Sequence, residues 1–256
     1  VGVDIKCSMS LLQTDVPADA IADRRIRRAI IDAICERIPT GTGRGQRSVK
    51  KSRRIPTDIG QRSLVEGASE SLLTAMGIPS EWAHRCEDAV HVGHDDTQDS
   101  IAERVEWHVQ AGTFRDVPTK VSQLGSYGGG NHFGECEIVH VGESVRAKHC
   151  AEVFGLRDGH VAFLSHCGSR GIGHNLAMGQ FRALQSKFRT WSIPLHGNDK
   201  ELVYAPLGSD EANAYIDDMS IGANFATVNH MLINSLVLDA FQEVLPGTTG
   251  NLVYFI

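Results

Sequence analysis

The chain has no apolar run approaching the roughly 18 to 20 residues of a membrane span. It does not open on a charged segment followed by an apolar one, so no secretory signal is readable. Cationic excess is missing too: the net charge is -6, and nucleic acid would have to be held by a local basic patch. Cysteine is not organised. Cys7, Cys35, Cys86, Cys136, Cys150 and Cys167 follow no regular spacing, and 256 residues bury a core without disulfides, so a reduced, cytoplasmic setting is expected. There is no repeat of fixed period. The dinucleotide fingerprint GxGxxG is not met at Gly128-Gly129-Gly130, and Ser169 does not sit in the GxSxG elbow of a hydrolase nucleophile. An initiator Met is absent as well: Val1 to Asp4 reads as the end of a strand entered from upstream, and Asn251 to Ile256 as a β-prone run with nothing to turn it. Both ends are expected to be cut.

What is present reads as one mixed α/β or α+β domain over residues 1–256. Residues 1–12 suggest a buried strand and its exit. Amphipathic spacing predicts a helix over Asp19 to Ile38, closed by Pro39, and further helices over Ser63 to Met76, Ser80 to Ala89 and Ser100 to Gln110. Lys120 to Leu124 enters a Gly-rich turn, Glu135 to Val141 alternates as a strand, and Val161 to Leu164 is an apolar strand running into a helix that lasts to Phe188. Asp210 to Leu245 holds a long helical pattern. Strands and helices interleave unevenly, which favours α+β over a regular doubly wound sheet.

Three segments carry residues suited to metal chemistry. Asp4-Ile5-Lys6-Cys7 offers a carboxylate and a thiolate, which meet on one ion only if the backbone kinks; otherwise they are a capping Asp beside a buried Cys. Gly128-Gly129-Gly130-Asn131-His132 combines close backbone approach with an Asn-His pair, against the alternative of a plain Gly-rich hairpin. His166 ends an apolar strand ahead of Gly168-Ser169-Arg170-Gly171 and a helix, placing an imidazole beside groups suited to an anion, or else a His and an Arg satisfied by loop carbonyls. Together Asp4, Cys7, His132 and His166 suit one or two divalent ions, and ligand softness alone points to Zn²⁺ or Co²⁺. His91 and His94, near Asp95 and Asp96, read as an acidic solvated helix start rather than a second metal site. Gly41 to Arg54, with Arg44, Arg47, Lys50, Lys51, Arg53 and Arg54 and no acid, is a basic loop: a solvated surface run or an RNA or phosphate contact.

These same segments resemble the RtcB family of RNA ligases. VGVDIKCSM is similar to the family's VGVDIGCGM, QLGSYGGGNHFGE to LGSLGGGNHFLE, the stretch ending HCGSRGIGH to HSGSRGLGH, and the helix through ANFATVNH to AANFAWANR. The resemblance is collinear from Val1 to about Ile233. It implies a single catalytic domain with mixed sheets flanked by helices, acting as a GTP- and Mn²⁺-dependent ligase that joins RNA 2′,3′-cyclic phosphate or 3′-phosphate ends to 5′-hydroxyl ends. Position by position, it implies that Asp4, Cys7 and His132 hold one Mn²⁺ and that Cys7 bridges to a second, also bound by His166. Asn131 would contact the GTP phosphate, with Phe133 and Glu135 along the nucleotide and Arg170 on an RNA or nucleotide phosphate. The histidine that receives guanylate is expected beyond Ile256, and an activating protein partner is part of the same expectation. Lys6 and Ser8 replace two family glycines, and His230 stands where the family usually has Arg. Those departures suggest a divergent paralogue. They keep two other readings open, a metal- and nucleotide-binding module without ligation and a metal-dependent cyclic phosphodiesterase.

Overall fold

The computed structural model describes residues 2–42, 45, 49–50, 54–114, 117–194 and 202–255. Among the described residues, four strands form one antiparallel sheet in the order β2-β3-β1-β4: β1 is Ser8–Pro17, β2 Phe133–Ile138, β3 His160–Cys167 and β4 Gly250–Leu252. The helices are α1 (Arg24–Arg37), α2 (Thr57–Glu66), α3 (Glu70–Ala75), α4 (Asp99–Gln110), α5 (Val117–Val121), α6 (Val145–Phe154), α7 (Arg170–Thr190) and α8 (Asp210–Val244). The architecture is α+β. The resemblance implied mixed sheets, whereas parallel pairing among the described residues is confined to two isolated bridges, Thr40 with Gly128 and Cys86 with Phe255.

The 35-residue α8 is the spine of the fold. Its residues from Ser220 to Ile233 are all buried, because other elements pack around it and its buried polar side chains, Asn224, Asn229 and His230 among them, are hydrogen-bonded. The sheet, α1, α2, α4 and α7 pack against it. Along β1 the side chains of Ser10, Leu12, Thr14 and Val16 are buried, while Met9 on the opposite face is exposed, the period of two expected of a pleated strand.

Several boundaries differ from the sequence-based expectation, each for a local reason. The first strand follows the Asp4-Cys7 segment instead of containing it. Lys6 adopts a left-handed φ of 52° and Cys7 N–H closes a turn onto the Asp4 carbonyl at 3.2 Å, so the backbone kinks before β1 begins. The helix expected over Ser63 to Met76 is two, broken at Gly67, whose φ is 55°, and restarted by Ser69, whose hydroxyl caps the Leu72 N–H. Ser80–Arg85 is a 3₁₀ turn, and Val117–Val121 is a short helix ahead of the Gly-rich turn. Asp210–Val244 is one uninterrupted helix, and β4 pairs with β1.

The basic loop is only partly described. Arg44, Arg47, Lys51 and Arg53 lie outside the described residues, while Lys50 pairs with Glu36 and the Arg54 side chain donates to the Val49 carbonyl.

Candidate metal centre

The kinked segment before β1, the turn before β2 and the end of β3 meet at one edge of the sheet. Registry brings them there: β3 aligns His166 with Met9 of β1 and with Phe133 of β2, so Cys7 lies two residues, and His132 one residue, before a partner of His166. The Cys7 Sγ is 3.2 Å from the His166 Nε2 and 3.6 Å from the His132 Nε2. Ligand atoms of these three side chains all lie within 4.8 Å of one another. Asp4 joins from the other side, its Oδ2 2.6 Å from the His132 Nε2.

The surroundings fix how each side chain is presented. The His132 Nδ1 donates to the Tyr127 carbonyl at 2.6 Å, which turns Nε2 toward Asp4 and Cys7, the kind of outer support that orients ligating imidazoles. The other Asp4 oxygen accepts from the Ser169 backbone N–H at 3.1 Å and from its hydroxyl at 3.3 Å. Burial alone would raise the Asp4 pKa, but the hydrogen bond and charge of His132, with hydrogen bonds from Cys7 and Ser169, together outweigh it and hold the carboxylate below its ordinary value. His132 moves up in turn, chiefly through Asp4. Burial, then the Asp4 charge, push the Cys7 thiol up to about 11; a cation is what would hold it as a thiolate at neutral pH. Asn131 donates to the His166 Nε2 at 3.1 Å, while the buried His166 Nδ1 finds no partner among the described residues.

This donor set fits a divalent ion. Ligands roughly 2.0 to 2.3 Å from an ion at a tetrahedral angle stand about 3.5 Å apart, close to the spacing of Cys7 from each imidazole. Asp4 and His132 are nearer than that, at a hydrogen-bonding distance, and would part slightly to admit an ion.

Two glycines are dictated by the site. A Cβ at Gly168 would lie 2.6 Å from both Asp4 carboxylate oxygens, and one at Gly128, whose φ is 89°, would overlap the Arg170 guanidinium. Arg170 opens α7 with a left-handed φ of 55°, donates to the Ser126 hydroxyl at 3.2 Å, and lines a cleft of about 480 Å³ with Asp4, Asn131, His132, Lys120 and His174. Cations and amides therefore face open space beside the ligand cluster. Phe133 and Glu135 lie on the solvent-facing edge strand β2, with the Phe133 ring 5.7 Å from the His166 ring.

His91 and His94 stay out of the cluster: His94, Asp95 and Asp96 are exposed ahead of α4, as expected, while His91 is half-buried. The His94 ring nitrogen Nδ1 lies 3.0 Å from both oxygens of the buried Asp217, and the His91 Nε2 accepts from the Lys6 ammonium at 3.1 Å. Burial first, and then Lys6, lower the His91 pKa to about 4.

The structure also shows supports that motif reading passed over. The fully buried Asn229 of α8 accepts from the Gly125 N–H at 2.8 Å and donates to the carbonyls of Ser126 and Gly168 at 3.3 and 3.1 Å, tying together the two loops that flank the ligands. Asn224, five residues earlier, does the same for Leu64, Val65 and His91. Both lie in the ANFATVNH stretch, where two asparagines in an otherwise apolar helix are the signal that could have found them.

Comparison with known proteins agrees with the motifs. The family model described as tRNA-splicing ligase RtcB matches residues 1–255. Curated relatives named tRNA-splicing ligase RtcB include those of Thermococcus kodakarensis, 30% identical over 95% of this chain and 45% of the relative, and of Pyrobaculum aerophilum, 31% identical over 95% and 46%. That of Methanococcus maripaludis is 28% identical over 98% of this chain and 47% of its own length. The chain thus spans somewhat under half the length of these relatives. With the family model matched over nearly every residue and the ligand-type side chains gathered at one edge of the sheet, this chain belongs to the RtcB family.

Proposed function

We propose that the complete protein is a GTP- and Mn²⁺-dependent RNA ligase joining 2′,3′-cyclic phosphate or 3′-phosphate ends to 5′-hydroxyl ends. The observation that carries this reading is the gathering of Cys7, His132 and His166 within 4.8 Å, with Asp4 hydrogen-bonded to His132, in a chain of this family. Asp4, Cys7 and His132 would hold one ion, and Cys7 with His166 part of the shell of a second. Bound ions would neutralise phosphate charge and orient the attacking group, the usual gain from paired metals.

The chain's own residues supply the rest. Arg170 and Lys120 present positive charge to a phosphate in the adjoining cleft. Asn131 offers amide hydrogens at the same mouth. Phe133 and Glu135 present an aromatic face and a carboxylate on β2, a combination that suits guanine, whose N–H groups a carboxylate accepts. All six cysteines are free thiols, which fits the cytoplasm, where Cys7 stays reduced. Among the described residues no helix is long and apolar enough to cross a membrane.

The test incubates the complete protein with Mn²⁺ and GTP labelled at the α-phosphate, then with an RNA bearing the two end types. Covalent labelling followed by joining is the expected result. Opening of the cyclic phosphate without joining would replace the reading with a phosphodiesterase, and GTP binding without labelling would replace it with a binding module.

A further inference from the structure

His230 is fully buried in the middle of α8, directly beneath the start of β1 and the end of β3. Its Nε2 lies 3.0 Å from the Cys167 carbonyl and 3.0 Å from the Ser8 hydroxyl, and its Nδ1 lies 3.0 Å from the Ser10 hydroxyl. A carbonyl only accepts, so the proton sits on Nε2, shared between Cys167 and Ser8, and Nδ1 is the acceptor. Ser10 is primed for that role: it takes a hydrogen bond from the Asn234 amide at 2.9 Å and gives its own proton to Nδ1. The polarity runs one way, from Asn234 through Ser10 and His230 to the Cys167 carbonyl.

The residues at the receiving end matter. Ser8 and Cys167 are direct partners in the β1–β3 ladder, and each is the chain neighbour of a side chain in the ligand cluster, Cys7 and His166. Ser8 and His230 are also two of the three departures from the family pattern, and here they touch. We infer that His230 is a positioning residue of the metal centre: by gripping Ser8 and the Cys167 carbonyl from below, it sets the separation of Cys7 and His166. The inference rests on the reading that these two side chains bind one ion. It assigns a task to a buried polar chain that the ligand set does not use. An imidazole in this place is short and rigid, and with both nitrogens hydrogen-bonded its ring cannot rotate without leaving a buried polar group unpaired.

The test uses Co²⁺ as a probe, titrated into the whole chain and read by the near-ultraviolet absorption of a thiolate bound to the metal. Wild type is expected to develop the band and Cys7→Ala to lack it; no band in wild type overturns the metal reading and this inference together. In His230→Ala, with folding checked by circular dichroism and thermal melting, the band should shift or weaken and Co²⁺ affinity should fall about 10- to 100-fold, the range for lost outer support. His230→Gln, which again offers an N–H to Cys167, should recover most of both. A folded His230→Ala with the wild-type band and affinity overturns the inference while leaving the metal reading intact. Should His230→Ala fail to fold, Ser10→Ala decides: an altered band supports the positioning role and an unchanged one overturns it.

Discussion

Asp4 and His132 meet at 2.6 Å through Oδ2 and Nε2, while the other nitrogen of the same ring is committed to the Tyr127 carbonyl. The imidazole is thereby aimed at the carboxylate, and Cys7 lies 3.6 Å from the same nitrogen. Replacing Asp4 with Asn keeps the shape but removes the charge that an ion would meet. Divalent-ion affinity in Asp4→Asn should drop by about 100-fold or more, beyond what loss of outer support costs. Calorimetric titration checks this; an affinity equal to wild type would remove Asp4 from the ligand set.

Glycine at 128 and glycine at 130 make a matched pair. Both have positive φ, 89° and 76°, but a Cβ at 128 overlaps Arg170 whereas one at 130 meets nothing within 4 Å. Gly130→Ala should therefore cost only the backbone penalty, about 1 to 2 kcal/mol. Gly128→Ala should cost more and also displace the guanidinium. Urea unfolding of the two variants checks the order, and equal stability would show that Arg170 yields freely.

Asn229 satisfies backbone groups from two loops at once. In Asn229→Ala the Gly125 N–H and the Ser126 and Gly168 carbonyls lose that partner inside the protein, and stability should fall by on the order of 3 kcal/mol. Asn229→Asp, which keeps an acceptor but no donor, should also be destabilising, with the charge now buried. Chemical denaturation reads both, and a change under 0.5 kcal/mol in Asn229→Ala would mean that water takes over the role.

Acid should unfold the protein partly through His230. Burial, helped by the charges of Lys6, His166 and His132 and opposed by the Cys167 hydrogen bond, holds its pKa down to about 4, against 6.5 for an ordinary histidine. The unfolded chain then takes up a proton near pH 6.5 that the folded chain refuses until about pH 4. Stability from this group is complete above pH 6.5 and lost as pH falls through that window, on the order of 3 kcal/mol by pH 4. His230→Gln should flatten that part of the stability-pH curve. An unchanged slope between pH 6.5 and 4 would show that His230 titrates normally.

The sequence made the ligand types legible because their motifs are short, contiguous and chemically unusual: a carboxylate three residues from a thiol, a triple glycine before Asn131-His132, and His166 at the end of an apolar strand. α4 and α8 were legible for a similar reason, since long helical spacing survives local noise. The kink at Lys6 was not. A lysine at φ 52° reverses ordinary preference, and only the turn onto the Asp4 carbonyl shows why the strand starts late. The break at Gly67 escaped because apolar spacing continues on both sides of it. The links from Asn229 and His230 to residues 61 to 222 positions away are set by packing, which no local pattern encodes.

The claim on which the rest depends is that Asp4, Cys7, His132 and His166 form a divalent-metal centre. Crystals grown with Mn²⁺ and measured for its anomalous scattering locate the ion without reference to activity. The expected result is a peak within about 2.0 to 2.5 Å of the Cys7 sulfur and the His132 Nε2, absent in crystals of Cys7→Ala. Strong manganese peaks at surface carboxylates with none beside Cys7 would contradict the account.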